Sequence, residues 1–480
     1  MSTRRTVLLG MAAAGIAPAS WAEDTLRGAD LRGDIAILRD AYETLHPGLY
    51  RYATPTQMSG RFDALARAFA HDQTRAEAYL SLSRFLASVR CGHTYANFYN
   101  QRGAVREALF DPLPRLPVHF VWLGPRMVVV ANFSGDARLA RGAEILSIDG
   151  RAVARIQHDL LAYARADGGN DAKRRALLEV RGFDGYETFD IFYGLAYRPS
   201  ASFRLRVRSA GGSRIETFDV AAADLAARRA AMRTQQNDDA PNWTLSYPQA
   251  GTALLTMPSW ALYNSHWDWR AFLDTSFAEI NRRAVTKLIV DVRGNEGGLD
   301  CGDDIVARLI DAPLQREGFE RRVRYRQTPD RLNPYLDTWD DSFRNWGADA
   351  ESIDARFFRL RSDDGDAIAP KGPRFRGELI VLTDAENSSA TFQFAQMVQQ
   401  KRLGRLIGQP TGGNQRGING GAFFFVRLPA SGLEADLPLI GRFPLTPKPD
   451  AGLTPDIVIN LTAADVATGR DAVMEATLNA

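Results

Sequence analysis

Two apolar runs about ninety residues apart, Lys287-Leu-Ile-Val-Asp-Val292 and Glu378-Leu-Ile-Val-Leu-Thr383, constrain this chain more than anything else in it. Short uninterrupted runs of this kind read as buried strands. Each passes through a turn of small or polar residues, Arg293-Gly-Asn-Glu-Gly-Gly298 in the first case and Asp384-Ala-Glu-Asn-Ser-Ser389 in the second, into a helical pattern. From residue 240 to 480 strands and helices alternate: Gly251–Met257 reads as a strand and His266–Asn281 as a helix. Such βα alternation predicts a parallel sheet covered by helices. The 312–370 stretch is charged and weakly periodic, and reads as a long excursion from that core.

The rest of the chain has a different texture. Residues 23–112 read as a helical cap, with apolar positions at helical spacing over 31–45, 58–71 and 75–89 and a stop at His46-Pro47-Gly48. Residues 113–225 are strand-rich, with strands at 117–123, 127–131 and 202–208 and a helical insertion over 155–200. The run Arg141-Gly-Ala-Glu-Ile-Leu-Ser-Ile-Asp-Gly150 resembles a segment of PDZ domains, which bind chain termini by strand addition. A chain of 480 residues exceeds one compact core, and these textures predict an α/β, multidomain α+β protein.

Arg4 and Arg5 account for the formal charge of +2, so the remainder is neutral. A neutral chain lacks the basic face that nucleic acids require. Arg4-Arg5, the apolar run Val7–Ala17 and the small-x-small site Ser20-Trp-Ala22 read as a twin-arginine export signal over 1–22. The expected location is the periplasm or the exterior, with no stable membrane anchor, since no later stretch approaches the ~18 apolar residues of a spanning helix.

Ser389 falls at a helix start, where the dipole and free N–H groups favour a developing negative charge. The same position suits a plain helix cap. The glycines of 293–298 bring backbone N–H groups close to one point, as an oxyanion site needs. Thr383 to Ala390 and Arg293 to Gly298 together resemble the C-terminal-processing (tail-specific) serine peptidases, the family that includes the tricorn protease core. The resemblance implies a crotonase- or ClpP-like βα core, a Ser389 nucleophile, and an oxyanion hole from Gly297, Gly298 and Ala390. It implies no metal or cofactor.

One branch of that family places a lysine about 25 residues after the serine, where this chain has Asn414. Lys401 stands at the far end of the helix, roughly 18 Å away at 1.5 Å per residue. The tricorn-like branch takes an upstream histidine, and His93 in Cys91-Gly-His-Thr-Tyr95 resembles its element. Histidine suits a base near neutral pH, with a reference pKa of about 6.5. That branch also uses an acid near the C-terminal Pro-Asp pair. The glutamate often seen there is missing, and Asp450 is the nearest acid outside Pro455-Asp456. If His93 and the glycine turn share one site, Cys91 and Cys301 become neighbours, and export then allows a disulfide between them, with two separate buried thiols as the alternative. The resulting expectation is an exported serine peptidase acting on a peptide or protein. The alternative is a peptide- or ligand-binding protein on the same fold without turnover.

Overall fold

The two signature strands lie side by side. In the computed structural model, which describes residues 25–183, 185–232, 243–316, 318–361 and 367–479, they pair in parallel from Lys287 opposite Glu378 to Asp291 opposite Leu382. Around them a six-stranded sheet runs in the order Ile457–Val458, Arg405–Gly408, Glu378–Thr383, Lys287–Asp291, Thr252–Thr256 and Thr244–Gln249. Only the last strand is antiparallel to its neighbour. Both faces are covered, which explains why these strands do not alternate. Leu288 and Val290 enter one core with the helices Trp269–Arg282, Cys301–Val306 and Ser389–Gln400. Ile289, Ile380, Leu382 and Ile407 enter another, closed by Val473, Met474 and Leu478 of the C-terminal helix. The strand side chains named here are fully buried, each worth about 1.5–3 kcal/mol.

The helical segment forms Gly28–Leu45, Pro55–Ala68, Arg75–Ser88 and a fourth short helix, Gly103–Leu109. Thr54 and Thr74 start the second and third with capping boxes. The middle segment forms an antiparallel sheet in the order Val118–Leu123, Arg126–Asn132, Glu144–Ile148, Ser202–Arg208 and Ile215–Ala221. The insertion before Ser202 is three helices, Val153–Leu160, Asp171–Leu177 and Thr188–Tyr197.

The 312–370 stretch is more structured than its sequence suggests. Phe319–Val323, Leu336–Asp337, Ala350–Ser352 and Phe358–Leu360 join Asn419–Arg427 and Glu434–Pro444 in a third, antiparallel sheet. Four of its six strands have five residues or fewer, too short to show a period. Its buried face does not pack on the parallel sheet. Phe424, Leu437 and Leu439 share one apolar core with Leu38, Tyr42 and Leu86 of the helical segment. Among the described residues no helix is long and apolar enough to cross a membrane. The export signal expected over 1–22 lies outside the described residues.

Candidate active site

Adjacent parallel strands deliver their C-terminal turns to one place, the usual location of sites in open α/β sheets. Asparagines staple the two turns together. Asn387 Nδ2 donates to the Val292 and Asn295 carbonyls at 2.5 and 3.1 Å, and Asn387 Oδ1 accepts the Asp384 N–H at 2.8 Å. Asn295 Oδ1 accepts the Gly297 N–H at 2.8 Å and the Thr391 hydroxyl at 2.9 Å. Ser388 Oγ donates to the Glu296 carbonyl at 3.1 Å. All the side chains in this lattice are buried. It is fully paired, so it holds the helix start rigidly.

Ser389 opens the helix Ser389–Gln400 with φ +50. That left-handed conformation costs a residue with a Cβ of order 1–3 kcal/mol and persists only where the surroundings over-determine it. The bland reading of a capping serine does not hold at the preceding position either, because the N-cap Ser388 makes no side-chain cap bond. Gly297 and Gly298 are needed at their positions. A Cβ on Gly297 would lie 2.9 Å from the Ala390 nitrogen, the Ser388 carbonyl oxygen and Ser389 Cβ. On Gly298 it would lie 2.0 Å from the Trp260 carbonyl oxygen. Gly297 is not, however, an available donor, since its N–H is committed to Asn295. Its part is close approach. A cleft opens beside Ala390, walled by Phe319, Phe394, Met397 and Ile418.

His93 reaches this region from the loop after Arg75–Ser88. His46 anchors that loop. The Gly48 N–H donates to His46 Nδ1 at 3.0 Å, so Nε2 carries the proton and donates to Thr94 Oγ1 at 2.8 Å. Burial, with Arg51 close by, pushes the His46 pKa down to about 3, which keeps that tautomer neutral. Arg165 then ties the loop to the glycine turn. Its guanidinium donates to the Gly92 carbonyl and to Glu296 Oε2, both at 3.0 Å, and lies 4.4 Å over the Tyr95 ring. One guanidinium therefore spans the residue before His93 and the residue before Gly297. No hydrogen bond joins His93 to Ser389, although Ser389 adjoins Gly297 and the charge of Glu296 reaches His93. His93 is half-buried and its pKa is pushed down to about 4, first by burial and then by Arg165, with Glu296 opposing.

The family model described as peptidase family S41 matches residues 251–422, a span that contains both signature turns and Ser389. Residues 251–422 are thus a segment of the peptidase family S41 type. The S41 assignment makes the chain a serine-type peptidase, a hydrolase acting on peptides or proteins. No curated protein matches it. Among solved structures, mature CPAF complexed with lactacystin is similar at a TM-score of 0.64 and 14% identity, over 94% of this chain and 97% of that one. The photosystem II D1 C-terminal processing protease is similar at a TM-score of 0.42 and 14% identity, over 93% and 98% of the two chains. At such identity the likeness to CPAF speaks for the fold.

Two further sequence expectations need correction. Asp450 is not bonded to His93. It accepts the Gly169 N–H at 2.9 Å and Asn414 Nδ2 at 2.7 Å, which fixes the 167–170 loop. His93 Nδ1 is enclosed without a hydrogen-bond partner, and the carboxylate whose charge reaches it is Glu296. The disulfide is also absent: Cys91 and Cys301 are both buried free thiols. They face different cores. Cys91 packs with the helical segment and accepts Asn419 Nδ2 at 3.2 Å, while Cys301 starts a helix under the parallel sheet. Burial, reinforced by the nearby Asp167, pushes the Cys91 thiol up to about 11, far from a reactive thiolate. Asn414, at the dyad-lysine position, is fully buried and bonded to Asp167 O and Asp450.

The sequence reading missed a cluster. Lys173 is buried and its Nζ bonds Glu296 and the Glu386 carbonyl. Burial alone would raise the Glu296 pKa, yet Arg165 and Lys173 hold it down to about 2. Glu296 stands inside the glycine turn Arg293–Gly298. Arg165 and Lys173 sit in the helical insertion and carry no motif. A lysine among only five in the chain was the one available signal.

Proposed function

We propose that this peptidase is exported and works through Ser389 as nucleophile with His93 as base. Ser389 Oγ attacks the peptide carbonyl as His93 takes its proton through Nε2. The N–H groups of Gly298 and Ala390 bond the tetrahedral oxyanion. His93 then gives the proton to the departing amine, and a water activated by the same imidazole releases the acyl group. One observation carries this reading: Ser389 holds φ +50 at a helix start pressed against Gly297. Apo geometry is often loose, so the lack of a Ser389–His93 hydrogen bond does not count against the pair.

A second reading, a peptide-binding protein without turnover, draws on the unpartnered His93 Nδ1. A fluorophosphonate probe separates the two. Labelling at Ser389, lost in Ser389→Ala and in His93→Ala, goes with the enzyme. Ser389→Ala should abolish peptide cleavage while the fold is kept, since even a capping serine is worth only ~1 kcal/mol. Wild-type cleavage by the Ala variant would remove Ser389 from the mechanism. Export rests on residues 1–22 alone, and mass measurement of the secreted form should place the new N-terminus at Glu23.

A further inference from the structure

An aromatic shelf begins at the His93 ring and runs outward along one strand. Phe423 packs on His93 with ring centroids 5.8 Å apart. Trp339 stands 5.8 Å from both Phe423 and Phe425, and meets Phe343 edge-on at 5.5 Å. The strand Asn419–Arg427 explains the arrangement by its period of two. Ala422, Phe424 and Val426 face the core and are buried, while Phe423 and Phe425 face the other way and are only partly covered. Trp339 is held over that outer face by the short strand before it. Leu336 pairs with Val426 and Asp337 with Phe425, and the Thr338 hydroxyl donates to the Phe423 carbonyl at 3.0 Å.

Trp339 nevertheless remains 61% exposed. Among the described residues it is the only exposed tryptophan. A large ring kept in water on a pedestal of aromatic side chains has the form of a binding surface rather than a core residue. Past Phe425 toward His93 no strand pairs with that edge of Asn419–Arg427 among the described residues, so a bound chain in extended form has room to lie along it.

The occupant follows from the chemistry of His93. In the proposed reaction the imidazole hands its proton to the departing amine, so the peptide segment after the cut bond must leave past this ring. The shelf is continuous with that ring. We propose that Trp339, Phe423 and Phe425 form the subsite for the leaving segment and select an aromatic or large aliphatic side chain there. This rests on the Ser389–His93 reading, and the cleft at Ala390 remains for the acyl side.

The test compares the full mature chain with its Trp339→Ala and Phe425→Ala variants on matched peptides that differ only after the cut bond. Wild type should favour phenylalanine or leucine over glycine there by at least roughly tenfold in kcat/KM. Both variants should lose most of that preference. Their hydrolysis of a small nitrophenyl ester, which has no peptide leaving segment, should not change. Binding is read separately in Ser389→Ala, where a saturating phenylalanine-containing peptide should shift tryptophan emission, and Trp339→Phe in that background should remove the shift. Preference retained in both variants would overturn the subsite, as would a silent Trp339. So would a dimer that Trp339→Ala dissociates, because the shelf would then be covered by a second copy. Failure of ester hydrolysis and probe labelling together with an intact emission shift would sink the Ser389–His93 chemistry and with it the leaving-segment role, and the shelf would be a peptide-binding surface only.

Discussion

The two halves of the candidate site are built by different means. The Ser389 side is local to one sheet: neighbouring parallel strands end together, and Asn295, Asn387 and Thr391 join their turns. The His93 side is assembled from afar. His93 depends on His46 from one helix end, on Arg165 from the middle insertion, and on Gly420 and Phe423 of the antiparallel sheet against its ring. A strand-and-turn site tolerates changes elsewhere because its geometry comes with the sheet. A site closed by long-range packing is sensitive to every surface that meets there. The S41 match spans the first half and stops at residue 422, so His93 lies outside the matched residues.

The largest effect expected is at His93. His93→Ala should lower kcat/KM by on the order of a thousandfold or more, as removal of a triad member does elsewhere. The pH profile sharpens the point. Only neutral imidazole accepts the serine proton, and burial holds the His93 pKa down to about 4. Activity should therefore persist well below pH 6.5 and be lost as pH falls through about 4. A limb that stays near 6.5 would mean that the His93 side opens to water in solution. Unchanged rates in His93→Ala would break the comparison outright.

A smaller but still large effect belongs to the Ser389 side. Gly297→Ala puts a Cβ within 2.9 Å of the Ala390 nitrogen and Ser389 Cβ, at a φ of +104 that L side chains avoid. Loss of one oxyanion donor elsewhere costs about 10²–10³ in kcat, and displacement of the turn should cost a similar factor. Measured kcat within a few fold of wild type would show that the turn is softer than its asparagine lattice suggests.

The smallest effect expected is at Asp450. Its carboxylate holds the 167–170 loop and Asn414, not His93. Asp450→Asn should change kcat by less than about threefold while lowering the melting temperature, since a lost hydrogen bond to a charged group is worth ~1.5–3 kcal/mol. A hundredfold fall in kcat with an unmoved melting temperature would return Asp450 to the mechanism.

Much of the fold was legible because it repeats a short-range pattern. The runs 287–292 and 378–383 announced strands buried on both faces, and Ser202–Arg208 showed its alternation residue by residue. The 312–370 stretch was opaque because its strands are two to five residues long and draw stability from partners beyond residue 418. Cys91 and Cys301 misled for a related reason. Nearness in sequence to two loops that meet does not fix which core each thiol enters, and Cys301 turns down into a helix under the sheet.

The sequence by itself determined the parallel sheet, the two turns at its carboxyl end and the place of Ser389 at a helix start, because each follows from period, turn chemistry and glycine over a dozen residues. Only the tertiary structure decided what surrounds His93. Arg165, Lys173 and Glu296 are separated by up to 131 residues and carry no shared pattern, yet they hydrogen-bond in one partly buried cluster beside His93. Charges taken out of water need partners. Which partners they find depends on how three apolar surfaces close on one another, and no local stretch of sequence encodes that.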